Sequence, residues 1–284
     1  MKIIVESLNY KNIDLSIYKP QENNVLNPEY PCIIFAHGFK GFKDWGGFPY
    51  MLQKLAESGY TVVSFNFSHN GVMPDKPMDF TRLDLFAQNT HSIELEDLHK
   101  VIDYIYSNAK ELNVDKDRIA LIGHSRGGAA VIIAASEDER IKALVTLASV
   151  GDVNRYTPEQ IKRWREKGFI EIPNTRTNQM MRMNSTFLDD IEQNSDRLNI
   201  KNAFSRLKIP ALIIHGKEDL AVKYTDAEKL YAASDKNKTE LYIIENTGHT
   251  FGIEHPFKGT TKAFDTVIEK MKEFLKSVLT SPSR

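Results

Sequence analysis

Gly123-His124-Ser125-Arg126-Gly127-Gly128 stands between an apolar run at residues 118–122 and a segment of helical spacing at residues 127–136. A serine on so sharp a strand-to-helix turn takes up a strained backbone. Glycines two residues to either side leave it room, so its hydroxyl projects above a sheet edge. The bland alternative is a tight turn whose serine caps the next helix. A serine hydroxyl is a weak nucleophile at neutral pH, so it needs a base, and the base needs an orienting carboxylate. Two later loops supply both: Asp219 in His215-Gly216-Lys217-Glu218-Asp219, after the run 210–214, and His249 in Asn246-Thr247-Gly248-His249-Thr250-Phe251, after the run 240–244. Glu218 and Asp152 compete for the acid's place, Asp152 because it follows the run 143–148; Asp219 is preferred to both. Among the eight histidines, His255 is the nearest rival to His249, but it precedes Pro256 at the start of the connection to the last helix. His91 and His99 fall within a helical pattern and read as surface residues.

Attack on an acyl carbonyl creates an oxyanion that backbone N–H groups must receive. Arg126 supplies one by following the nucleophile, and Phe39, in the loop His37-Gly38-Phe39-Lys40-Gly41-Phe42, is the choice for the second. The chemistry these residues predict is a two-step acyl transfer through an acyl-enzyme on Ser125, with no metal and no organic cofactor required.

The elements that must position these loops are legible as pattern. Residues 3–8 and 13–18 alternate apolar and polar side chains, as a hairpin of half-buried strands does. Short continuous apolar runs follow at 32–36, 60–67, 118–122, 143–148, 210–214 and 240–244, which suits strands covered on both faces. Segments of helical spacing lie between them at 48–58, 91–108, 127–136, 224–233 and 261–278. Such alternation predicts an α/β fold, with right-handed crossovers and a doubly wound, mostly parallel sheet.

Residues 151–206 break the rhythm and are too long for a simple connection. They are expected to form an inserted cap or lid over the sheet's C-terminal edge, leaving 1–150 and 207–284 as the core. A hairpin is expected at 167–172 and 176–181, turning at Pro173-Asn174-Thr175. Trp164, Phe169, Met180, Met181, Met183 and Phe187 give the cap enough apolar surface to hold a small or medium hydrophobic or aromatic acyl group. They suit the cap's own core equally well. Trp45, after the oxyanion loop, either lines the pocket or packs the first helix. Arg176 and Arg182 could meet a substrate carboxylate or pair with Glu171 or Asp189.

The chain has 284 residues, 41% hydrophobic and 26% charged, with 37 Lys and Arg against 38 Asp and Glu. That is the composition of a folded globular protein. A formal net charge of -1 gives no field to gather nucleic acid or an anionic membrane. A single cysteine, Cys32, excludes an internal disulfide framework. No apolar stretch approaches the roughly 20 residues that span a bilayer, and the N-terminal run is broken before it reaches a signal-peptide core. The expectation is a soluble, cytoplasmic monomer or homodimer acting on a small-molecule ester.

Taken together, His37-Gly38, the Gly123–Gly128 elbow, His215-Gly216-x-x-Asp219-x-x-Val222 and Gly248-His249-x-Phe251 resemble the α/β-hydrolase superfamily. Within it the chain resembles small acyl esterases of the cinnamoyl and feruloyl esterase type and the dienelactone-hydrolase-like group. The resemblance implies a central sheet of about eight strands with the triad on its C-terminal edge, in the chain order Ser, Asp, His. It also implies that the insertion after the sixth strand is the lid. Dienelactone hydrolase itself carries a cysteine where Ser125 stands, and haloalkane dehalogenases and epoxide hydrolases carry an Asp. Serine peptidases and thioesterases would use the same triad, and a peptidase would show an acidic anchor such as Glu166, Glu171 or Asp189. A non-catalytic ligand-binding member of the fold is a further alternative.

Overall fold

A computed structural model describes residues 2–21, 29–174 and 178–279. An opening hairpin, β1 (Lys2–Tyr10) and β2 (Ile13–Gln21), leads into β3 (Tyr30–Ala36), α1 (Phe48–Glu57) and β4 (Thr61–Asn66). A small excursion follows, formed by β5 (Val72–Met73), β6 (Lys76–Phe80) and α2 (Leu83–Gln88). The chain then runs through α3 (His91–Ser107), β7 (Val114–His124), α4 (Arg126–Glu137) and β8 (Ile141–Leu147). Next come α5 (Pro158–Lys167), β9 (Phe169–Asn174), β10 (Gln179–Asn184), α6 (Thr186–Gln193) and α7 (Ile200–Ser205). The chain closes with β11 (Ala211–Gly216), α8 (Thr225–Ala233), β12 (Thr239–Ile244) and α9 (Lys262–Val278).

Eight strands form one sheet in the order β1-β2-β4-β3-β7-β8-β11-β12. Only β2 runs against its neighbours; from β4 to β12 every pairing is parallel. The apolar runs are continuous because both faces are covered, and alternate residues divide between them. In β3, Cys32, Ile34 and Ala36 pack with α3, α4 and α8 on one face. Ile33 and Phe35 pack with α1 and α9 on the other. α9 buries Phe264, Val267, Ile268, Met271, Phe274 and Leu275, a stripe at three- and four-residue steps. Its first turn is capped by the Thr261 hydroxyl, which accepts from the Phe264 N–H at 3.1 Å.

Parallel strands deliver their C-terminal loops to one edge, so the loops after β3, β7, β8, β11 and β12 meet there. Between β8 and β11 lie α5 to α7 and the β9–β10 hairpin. Hydrogen bonds that tie this segment to the rest include Lys40 Nζ to the Pro173 carbonyl at 3.1 Å, Gln179 Nε2 to the Phe80 carbonyl at 3.0 Å, the Ser92 N–H to Asp190 at 3.1 Å, Arg155 Nη2 to the Ala221 carbonyl at 2.7 Å and Arg197 Nε to Glu137 at 2.8 Å. The hairpin register departs from expectation. Pro173 and Asn174 are strand residues, paired with Met180 and Gln179, rather than the turn. A two-stranded ribbon has an outward edge on each strand, so proline's missing N–H breaks no ladder there. Thr175 and Arg176, named above, lie outside the described residues. Among the described residues no helix is long and apolar enough to cross a membrane.

Candidate active site

Ser125 sits between β7 and α4 with φ 57° and ψ -118°, a backbone region that non-glycine residues rarely enter and that costs about 1–3 kcal/mol. The surroundings enforce it. Its N–H donates to the Leu147 carbonyl at 2.9 Å, and its own carbonyl accepts from the Gly128 N–H at 3.0 Å. A Cβ at Gly123 would collide with the Gly127 carbonyl, and one at Gly127 with the carbonyls of Ala36 and His37. The turn therefore closes only with glycine at both places.

The Ser125 hydroxyl lies 2.9 Å from His249 Nε2, and His249 Nδ1 lies 2.7 Å from Asp219 Oδ2. An ionised carboxylate can only accept, so Nδ1 carries the proton and Nε2 presents its lone pair to the serine. The other Asp219 oxygen accepts from the N–H groups of Ala221 at 2.9 Å and Val222 at 2.8 Å. His215, buried one turn away, brings Nε2 within 3.2 Å of Asp219 Oδ2 while donating to the Val222 carbonyl at 2.9 Å. Burial alone would raise the Asp219 carboxyl. The hydrogen bonds from His215, His249 and the Val222 N–H outweigh it and hold the group well below the usual carboxylate range. A hydroxyl, an imidazole and a carboxylate in such a chain can generate a nucleophile at neutral pH.

Two other buried histidines frame the chain. His124 Nε2 donates to the His249 carbonyl at 3.0 Å, and burial with the neighbouring His249 pushes its pKa down to about 3. His37 Nδ1 donates to the Gly38 carbonyl at 2.9 Å and its Nε2 accepts from the Phe67 N–H at 3.4 Å; burial pushes its pKa down to about 4. Both are neutral at pH 7. The Gly38 carbonyl also accepts from the Gly41 N–H at 3.0 Å. In a trans peptide the N–H points opposite to the carbonyl, so this fixing turns the Phe39 N–H away from His37. Gly38 lies so close to Ser125 that a Cβ there would stand 2.8 Å from the Ser125 Cβ. Among the described residues the Phe39 N–H donates no hydrogen bond. The Arg126 N–H, first in α4, has no acceptor within the helix.

Two cavities open on Ser125 and His249. The larger, about 330 Å³, is lined by Phe39, Arg126, His91, Tyr156, Phe187 and Asp152 among others. The smaller, about 200 Å³, is lined by Gly38, Trp45, Phe48, His124 and Asn174 among others. Of the residues expected to contact substrate, Phe187 and Trp45 each line one of them. Trp164 and Met183, each 1% exposed, line neither: the indole donates to the Met183 carbonyl at 3.1 Å and stacks on Phe187 at 5.7 Å. Met180 is 56% exposed and lies outside both. These three are corrections, and Trp164 and Met183 are explained by the core they share with the α3 and α4 face of the sheet. Arg182 stacks on the Phe169 ring at 3.5 Å, away from both cavities.

The rival residues separate as well. Asp152 reaches the cavity wall but accepts from the Asn154 N–H at 2.8 Å and makes no bond to His249. Glu218 is exposed. His255 Nδ1 accepts from the Gly46 N–H at 2.9 Å and stacks on Trp45. His91 is the clear miss: it is buried and lines the larger cavity. A helix that follows a parallel strand begins at the strand's C-terminal edge, which places the first residue of α3 beside the site. That topological signal could have found it.

Residues 15–233 match the BD-FAE family. The chain is 26% identical to the protein named "Putative esterase YitV" of Bacillus subtilis (strain 168) over 202 residues, 71% of this chain and 73% of that one. Further curated relatives match about half of this chain and under half of their own length. Among solved structures, Est1E of Butyrivibrio proteoclasticus with bound ferulic acid aligns at TM-score 0.71 and 21% identity, covering 97% of this chain and 100% of that one. A dienelactone hydrolase from Anabaena variabilis ATCC 29413 aligns at TM-score 0.62 and 17% identity, covering 98% and 99%. With its sheet order, its elbow and a family match spanning most of its length, the chain belongs to the BD-FAE family and is an esterase-type α/β-hydrolase.

Proposed function

We propose that the protein is a serine carboxylesterase working through an acyl-enzyme on Ser125. The observation that carries this reading is the unbroken chain from Ser125 Oγ to His249 Nε2 at 2.9 Å and from His249 Nδ1 to Asp219 at 2.7 Å. His249 takes the hydroxyl proton as Oγ attacks the ester carbonyl, and Asp219 stabilises the imidazolium. The N–H groups of Phe39 and Arg126 receive the oxyanion. His249 then gives its proton to the departing alcohol, and water repeats the sequence on the acyl-enzyme. Residues 151–206 act as the lid that roofs the two cavities.

The acyl group is small to medium and aromatic rings are accommodated; the rings of Phe39, Phe187 and Trp45 around the cavities support this, as does the ferulic acid bound by Est1E. Glu166, Glu171 and Asp189, named above as possible anchors for a peptide's amine, are engaged elsewhere. Glu171 pairs with Lys167 at 2.8 Å, Asp189 with Arg165, and Glu166 with Lys162 at 3.9 Å, and none lines either cavity. This favours esters over peptides.

Labelling by a fluorophosphonate and hydrolysis of p-nitrophenyl esters test the reading. Both are expected in the natural chain, and both are expected to vanish in Ser125→Ala with folding intact. Retained hydrolysis would remove Ser125 from the mechanism. Faster turnover of aminoacyl anilides or acyl thioesters than of esters would move the protein to the peptidase or thioesterase reading.

A further inference from the structure

We propose that the larger cavity holds a carboxylate carried by the substrate, so that the preferred esters are acidic ones. The inference deepens the esterase reading and rests on it. Arg126 is 7% exposed, with its guanidinium carbon 5.3 Å from the Phe39 ring and 4.8 Å from the Phe187 ring. Both rings and Arg126 itself line the cavity that opens on Ser125 and His249. A guanidinium has five N–H donors. Among the described residues only Nε–H is used, on Glu94 Oε2 at 2.8 Å, and Nη2 is buried without a partner.

Unmade hydrogen bonds of a buried charged group are costly. A residue needed only to neutralise Glu94 would not have to be clamped between two cavity-lining rings with its outer edge unused. His91, 8% exposed, lines the same cavity and makes no hydrogen bond among the described residues. Its burial, with Arg126 close by, holds it neutral, so one ring N–H is available as a further donor. The charges lining the cavity are Lys40, Arg126 and Arg155 against Asp152 alone. A planar fork of N–H groups flanked by aromatic rings beside the nucleophile is the environment that recognises a carboxylate.

The acidic group can sit on either half of the ester, and two substrate series tell which. One compares monoethyl glutarate and monoethyl adipate with ethyl pentanoate and ethyl hexanoate. The other compares butyryl esters of glycolic and 3-hydroxypropanoic acid with propyl butyrate, all followed by pH-stat. At least one acidic series is expected to exceed its neutral counterpart in kcat/KM by about tenfold or more. In the double variant Arg126→Gln/Glu94→Gln, which removes the buried pair together, that ratio is expected to fall to near one. The ratio is internal to each protein, so any general loss of rate cancels. Calorimetry with glutarate on the natural chain supplies a readout independent of any variant's folding, and saturable binding competitive with ethyl hexanoate is expected. No acidic preference together with no glutarate binding, or a preference that persists in the folded double variant, would overturn the carboxylate site. In the first case hydrolysis of neutral esters at Ser125 would leave the esterase reading standing. Failure of every ester together with failure to label Ser125 would sink that reading instead.

Discussion

An aspartate serves its histidine only as an anion, and Asp219 is held as one by three side-chain and backbone donors on top of His249 itself. Asp219→Asn keeps an acceptor for the Ala221 and Val222 N–H groups but no longer forces the proton onto His249 Nδ1. A fall in kcat on the order of 10⁴-fold with an intact fold is expected, while Asp152→Asn should change little. Steady-state kinetics of the two variants decide it, and a worse lesion in Asp152→Asn would reassign the acid. Buried titratable groups around the site make stability depend on pH. His37 and His124 titrate near 6.5 when unfolded, but at about 4 and about 3 in the fold. Between those values the unfolded chain binds protons that the native one refuses, so stability is full above about pH 6.5 and drains as pH falls. Asp219, lowered from its ordinary 3.8, adds a further loss as pH drops below that value. His124→Asn should flatten the decline between pH 6.5 and 3 in denaturant unfolding curves; an unchanged slope would clear His124 of it. At this scale the sequence named Ser125, Asp219 and His249 through their order and loops. It misplaced His91 because helical periodicity says which residues share a face and nothing about what that face meets.

The strand-turn-helix element gives the serine its posture, and its tolerance is narrow. A methyl group at Gly127 would press on the carbonyls of Ala36 and His37, which are backbone atoms at the end of β3 and cannot rotate aside. Gly127→Ala should therefore cost about 1–3 kcal/mol and push the Phe39 loop away from Ser125, so that kcat falls more than stability alone explains. Thermal unfolding and kinetics on the same preparation check this; a fully active, equally stable variant would contradict the close packing. The parallel strands were readable because two-sided burial leaves a continuous apolar run. Less of the excursion after β4 was readable: four of the five residues of β6, Lys76 to Asp79, are exposed, and a ribbon that buries so little leaves no periodic signal. The β9–β10 turn was misplaced for a related reason. Pro173-Asn174 has turn chemistry, but in a two-stranded ribbon edge positions accept proline and the register follows the buried Met181 and Met183 instead.

For the molecule as a whole, the buried side chains of the segment between β8 and β11 are continuous with the core on the α3, α4 and α8 face of the sheet, and that shared packing shapes the cavity. Trp164 is buried within that packing, with Tyr156 against its edge at 5.1 Å and Phe187 stacked on its face at 5.7 Å. Phe187 in turn lies against Arg126. The contacts thus run from the insertion's interior to the residue that follows the nucleophile. Composition alone could not separate these two uses of large apolar residues, since filling a core and lining a cavity ask for the same side chains. Trp164→Ala should remove about 3–5 kcal/mol and let Phe187 tilt, so that KM for esters rises while labelling of Ser125 by a small fluorophosphonate persists. Met180→Ala, at an exposed position, should stay within about 0.5 kcal/mol of the natural chain with its kinetics unchanged. Thermal denaturation with ester kinetics on the two variants tests the pair: a silent Trp164→Ala would mean that the insertion does not shape the cavity, and a damaging Met180→Ala would mean that substrate reaches its outer surface.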